Sequence, residues 1–315
     1  MAVATDVSHP LKSSPAPRPL ANVDLSGIGS DLAAFALSHS PQVTRASAVY
    51  VVSNEKWPPS VYEHLQSAHA AEGSGHLGIS SMRNFDIMAA RHSKFGILVN
   101  DCKSMERAVA IMLDVVAHKA LSRDDFCSKL EHAILNSPCG KFVHASSHIA
   151  TKPNKTLEAR LKAELTRSGS WLSTDESFSY IQRLARAGAI FNVRANVCDS
   201  DSVGALSHIF KNREVSLDTL YWSNVLELTF DCELAGQIQP GAPWSARAFM
   251  DATSILARDF PGSLVVAAQR NGAGQLCGEV VQNFGTMSVN SFYQFTETDL
   301  AQTSFTTQSS AFRER

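Results

Sequence analysis

The sequence predicts an α/β fold in which a three-layer, doubly wound, mainly parallel sheet carries helices on both faces. Two observations lead there: short apolar segments rich in β-branched and aromatic residues recur along the chain, and longer stretches with helical spacing separate them. Strands that alternate with helices pair in parallel, because each crossover returns the chain to the same end of the sheet. A third observation ends the pattern. After Gly272 the segment "GQLCGEVVQNFGTMSVNSFYQF" falls into short alternations of Gly, Val, Phe and Thr, which predicts an antiparallel edge at the carboxyl-terminal side.

Taken in order, residues 1–24 are rich in Pro, Ser and Ala without an apolar period and are expected to form a flexible leader, with 25–315 as a single domain. "SAVYVVS" (47–53) reads as the first buried strand, followed by helices over 59–71 and 83–92. "FGILVN" (95–100) is the second strand. The helix over 104–121 is apolar at nearly every position between Val109 and Val116, which predicts burial against the sheet. Helices over 123–135 and 155–167 form a helical insertion at about 122–170, the first opened by Ser122 with Asp125 in capping-box spacing. Ser173 with Glu176 is expected to open the next helix, over 176–187. Then come the strand "AIFNVRA" (189–195), a helix over 202–211, the strand "LDTLYWS" (217–223), a helix over 245–259 and the strand "SLVVAAQ" (263–269).

Two internal echoes accompany this order. "ISSMRNFDIMAARHSKFGILVN" and "LSTDESFSYIQRLARAGAIFNV" align without a gap, as two helix-then-strand units under the same packing rules do. The strands "VYVVSNE" and "LYWSN" both stop at Ser-Asn: Ser53, Asn54 and Glu55 in one, Ser223 and Asn224 in the other.

Composition narrows the function. A chain of 315 residues with 44% hydrophobic residues buries a large core. Its 28 basic and 30 acidic residues are well mixed, giving a formal charge of −2 and no broad basic footprint for a nucleic acid. No apolar run approaches the roughly 20 residues that span a bilayer. Pro10, Pro15, Pro17 and Pro19 interrupt any apolar region of a secretory signal, so a cytoplasmic protein is expected. The scattered cysteines, with no C-x-x-C pair, are read as reduced thiols. Cys139, His144 and His148 have metal-like spacing but lack a fourth ligand, and no metal site is assigned.

Neither a phosphate-binding loop, a nucleophile elbow, a zinc-protease helix nor a dinucleotide-binding glycine fingerprint follows any expected strand. What remains is a set of polar residues at strand carboxyl ends, where open α/β sheets bind ligands. Asn100 and Asp101 follow "FGILV", Asn196 and Asp199 follow "IFNVRA", and Ser223, Asn224 and Glu227 follow "LDTLYW". Carboxylates there can accept from ribose hydroxyls, and Asn or Ser can hold a carboxylate or a base edge; the same residues are also preferred helix caps.

The segments "ISSMRNFDIMAARHSKFGILVND", "WLSTDESFSYIQRL" and "DTLYWSNVLEL" resemble a family of bacterial proteins similar to S-adenosylmethionine-dependent methyltransferases, over roughly residues 46–270. Ser80, Asn84 and Phe85 match that family's Ser-x-x-x-Asn-Phe segment, and Tyr221, Ser223, Asn224, Val225 and Glu227 its Tyr-x-Ser-Asn-Val-x-Glu strand end. The resemblance implies a methyltransferase-like (Rossmann-like) sheet and S-adenosylmethionine as cofactor, held by Asn100, Asp101 and Asn196. Ser80, Asn84, Tyr221, Ser223 and Asn224 would face a small-molecule substrate, with Glu227 as the base. The chain departs from the family where Asn100 replaces Asp, with Asp101 one place later, and where Ala195 and Asn196 replace Gly-Asp. Losing carboxylates there motivates the alternative, a non-catalytic binding or interaction protein on the same scaffold, delivered by a specialised secretion system if the leader serves export.

Overall fold

The computed structural model describes residues 23–39, 49–53, 55, 57–67, 74–79, 82–140, 157–223, 225, 236–237, 239, 242–270 and 276–281. Its centre is a six-stranded sheet built from β1 (Gly75–Ile79), β2 (Gly96–Asn100), β3 (Ile190–Arg194), β4 (Leu217–Ser223), β5 (Leu264–Arg270) and β6 (Leu276–Val281). The order is β3-β2-β1-β4-β5-β6, with the first five strands parallel and β6 antiparallel to β5. The chain therefore runs outward from β1 to β3, returns to the centre at β4, and proceeds the other way.

Helices α1 (Leu25–His39), α2 (Pro59–Ser67), α3 (Arg83–Arg91), α4 (Lys103–Asp114), α5 (Arg123–Leu135), α6 (Leu157–Glu164), α7 (Asp175–Arg186), α8 (Ser200–Asn212) and α9 (Ala246–Asp259) complete the described elements. Helices α1 and α9 both pack on α8, whereas α3 packs on α2 and α7. Right-handed crossovers on either side of the reversal place these two groups on opposite faces, which is the doubly wound arrangement. The main core is formed by Leu77, Phe85, Ile97, Val99, Val109, Trp171 and their neighbours, and a smaller cluster of Trp57, Tyr62, Leu65, Ile87 and Tyr221 lies under α2.

Over its described part, 49–53, the expected first strand does not form: Val49 makes an isolated bridge and Val51 and Val52 lie in a bend. These valines are buried without joining the ladder. The strand that pairs with β2 is Gly75–Ile79, "GHLGI", which two glycines and a histidine disguise. Both glycines permit close approach. A Cβ on Gly75 would lie 2.2 Å from the Phe95 ring, and one on Gly78 would lie 2.0 Å from Asn84 Oδ1.

Helix α1 was also absent from the sequence reading, although Ile28, Leu32 and Phe35 are buried at helical spacing. Gly27 and Gly29 lower its intrinsic propensity. The expected leader lies outside the described residues except for Val23 and Asp24. Ser122 caps α5 as expected, accepting from the Asp125 amide. The cap of α7 is Thr174, one residue beyond the expected Ser173, whose hydroxyl instead donates to the Ser170 carbonyl.

The expected long helix over 104–121 is α4 followed by a π turn, Val115–Lys119. The wider turn leaves carbonyls pointing sideways, and α7 supplies the donors. Gln182 donates to the Val116 and Ala120 carbonyls, and Arg186 to that of Ala117.

Candidate functional site at the carboxyl edge of the sheet

Strand order reverses between β1 and β4, so the helices that leave their carboxyl ends lie on opposite faces, the position at which open α/β sheets bind ligands. β4 ends abnormally. Its pairing with β5 slips between Tyr221 and Ser223, and Ser223 has φ 51°, a left-handed conformation that costs a non-glycine residue of order 1 kcal/mol. Strain of this kind persists only where surrounding contacts impose it.

The side chain of this strained residue is held by Glu55. The Ser223 hydroxyl donates to Glu55 Oε1, the Tyr221 hydroxyl lies 2.7 Å from both carboxylate oxygens, and Trp57 Nε1 donates to Oε2 at 2.9 Å. Glu55 is 3% exposed. Its amide donates to Ser53 Oγ at 3.1 Å. The two Ser-Asn segments of the sequence thus meet: the glutamate after one is held by the serine that opens the other.

Beneath this group, His76 on β1 faces Thr219 on β4, with Nδ1 2.7 Å from the threonine hydroxyl and Nε2 2.8 Å from Asn84 Oδ1. Asn84 Nδ2 donates to the Ile79 carbonyl at 2.8 Å, which fixes Oδ1 as acceptor and His76 Nε2 as the protonated nitrogen. Burial pushes the His76 pKa down to about 4, so the ring is neutral. Gly78 is small because Asn84 occupies the space a side chain would need.

At the other strand ends, Asn100 closes β2 and is buried, donating to Asn192 Oδ1 at 2.6 Å while its own Oδ1 meets no donor among the described residues. Asp101 is exposed. Asn196, beyond β3, accepts the Cys198 amide at 2.9 Å, and Asp199 caps α8. Asn196, Cys198, Asp199, Asp201, Arg247 and Asp251 line an open cavity of about 560 Å³ where the amino termini of α8 and α9 converge. Burial, and then the charge of Asp101, push the Cys198 thiol up to about 12, which removes it as a nucleophile near neutral pH.

The expected site residues therefore separate into groups. Tyr221 and Ser223 meet at Glu55, and Asn84 lies just below them with its amide engaged on both sides. Asn100, Asp101 and Asn196 lie along the β2 and β3 ends. Ser80, Asn224 and Glu227 fall outside the described residues, as do His144 and His148 of the metal-like grouping. Glu55 was missed as a site residue because it follows a segment read as a strand; its signal was the shared Ser-Asn ending.

For an adenosyl cofactor the fit is partial. Exposed Asp101 and the unmatched Asn100 acceptor suit ribose or amine donors, whereas the sequence between β1 and α3, residues 80–82, contains no glycine. Among the described residues no cluster of three or more His, Cys, Asp or Glu has metal-binding geometry, and no helix is long and apolar enough to cross a membrane.

Fold and site together define an α/β protein of the doubly wound, Rossmann-like class with a buried polar cluster at its strand reversal. The chain belongs to the family of the Domain of unknown function (DUF7790), whose model matches residues 50–231, more than half its length. Glu55 and Ser223 both fall inside that span. No curated protein matches the sequence.

Proposed function

We propose that the protein binds S-adenosylmethionine along the carboxyl edge and transfers a methyl group to a small molecule held at the β1–β4 reversal. The observation that carries this reading is the strand order, five parallel strands reversing between β1 and β4 with an antiparallel strand beside β5. That order directs ligands to the edge where the polar residues collect. S-adenosylmethionine supplies an activated methyl group when bound. The chain's part is positional: Asp101 accepts ribose hydroxyls, Asn100 and Asn196 bound the nucleoside, and the end of β4 holds the acceptor in line with the methyl carbon. The place of action is the cytoplasm.

Calorimetry with S-adenosylmethionine and S-adenosylhomocysteine tests this directly. Both are expected to bind, and Asp101→Ala to weaken binding about tenfold by removing a charge-assisted hydrogen bond. Absence of heat for both compounds at high protein concentration removes the reading. The second reading is a non-catalytic binding protein on this scaffold. It draws support from the buried, internally bonded state of Asn84 and Tyr221, which leaves fewer side chains facing a substrate. Cofactor binding without turnover over a broad panel of acceptors would favour it. Delivery of that protein by a specialised secretion system would show as loss of export on deleting residues 1–24.

A further inference from the structure

We infer that Glu55 is the recognition carboxylate of the strand reversal and that it takes a cationic amine group of a small organic ligand. This inference rests on reading the β1–β4 reversal as the ligand site, and it names the chemical class of the substrate.

The first argument is a contrast within the molecule. The buried carboxylates among the described residues are Glu55, Asp86, Glu164 and Asp218. Asp86 pairs with Arg83 and Arg167, Glu164 with Arg167, and Asp218 with Arg91. The fold thus meets its interior carboxylates with guanidinium groups, as buried charges require. Glu55 alone of these four has no Lys, Arg or His of the described residues in ion-pair range; its carboxylate partners are the neutral donors Tyr221, Ser223 and Trp57. The nearby Arg83 donates to the Glu55 backbone carbonyl, and its charge is committed to Asp86.

The second argument is the surroundings. Trp57 packs edge-on against Tyr221 with ring centroids 5.8 Å apart and tilted against Tyr62 at 5.6 Å. The faces of these rings already take guanidinium groups, Arg83 over Trp57 at 5.4 Å and Arg167 over Tyr62 at 5.9 Å, so the surroundings accept cations and the carboxylate itself supplies the contact for an ammonium group. The third argument is position. Ser223 is half-buried and is the most exposed of the four, so the carboxylate oxygen it covers is the one on the solvent side of the cluster.

The test uses the full chain, 2-phenylethylamine as the probe, and two relatives of similar size, neutral 2-phenylethanol and anionic 3-phenylpropionate, in calorimetric titrations at neutral pH. The amine is expected to bind about tenfold more tightly than the alcohol, the gain from one charge-assisted contact, and the acid more weakly than either. Glu55→Gln is expected to erase the preference for the amine, and Glu55→Asp, which keeps the charge, to retain a preference. Equal binding of amine and alcohol, no amine binding, or a preference that survives in Glu55→Gln overturns the inference. Should Glu55→Gln fail to fold, the wild-type series with Glu55→Asp decides: a weakened amine preference in Glu55→Asp upholds the inference, and an unchanged one overturns it. An amine preference without heat for S-adenosylhomocysteine sinks the cofactor reading alone, and cofactor heat without an amine preference sinks this inference alone.

Discussion

His76 shows how one buried side chain ties the site to stability. Its folded pKa, lowered by burial to about 4, sits below the ordinary 6.5, so the unfolded chain takes up a proton first as pH falls. Stability from this group is complete above about pH 6.5 and declines towards pH 4, by of order 3 kcal/mol in total. Urea denaturation at a series of pH values should show that slope in the wild type and a flatter one in His76→Gln; identical slopes would refute the assignment. At this scale the sequence was partly legible. Tyr221 and Ser223 stood out as polar residues interrupting an apolar strand, and they do meet at a shared partner. Glu55 did not, because the residue that completes the group lies 168 positions from Ser223 and no local pattern encodes the encounter. Asn84 could be recognised as polar and close to a strand end, but not as fully enclosed, since burial depends on the fit of Gly78 and His76 around it.

Elements with continuous apolar runs were the legible ones. β2, β3, β4 and β5 fall within a residue or two of their expected bounds, and α5 matches the stretch that follows its Ser122 cap. β1 was hidden because its glycines and histidine answer to neighbours rather than to strand propensity. The π turn after α4 was hidden for a related reason: widening a helix needs donors from another element, here Gln182 and Arg186 on α7. This has a measurable consequence. Gln182→Ala leaves the Val116 and Ala120 carbonyls without that donor and should destabilise the protein by about 1–3 kcal/mol. A change under about 0.5 kcal/mol in the unfolding free energy would mean that water replaces the amide fully.

Across the whole molecule, buried ion pairs join the reversal to its surroundings. Arg91, at the end of α3, binds both oxygens of Asp218 at 2.7 Å and also donates to the Leu65 carbonyl on α2. Arg167, beyond α6, reaches Asp86 on α3 and the Tyr62 hydroxyl on α2, fastening the helical insertion to the same face. Removing one partner strands the other charge in the interior, so Asp218→Ala should cost about 3–5 kcal/mol, read as a lowered denaturation midpoint at an unchanged slope. A loss below about 1 kcal/mol would show that Arg91 finds another anion or reaches solvent. The long reach from Glu55 to β4 also fixes when this hydrogen-bonded group comes into being. During synthesis, a chain whose ribosome has not passed residue 223 carries Glu55 without its tyrosine and serine, and setting β4 beside β1 closes a loop of more than a hundred residues. The Glu55 cluster is therefore assembled only when the central strands have joined, and a chain truncated before residue 221 lacks it.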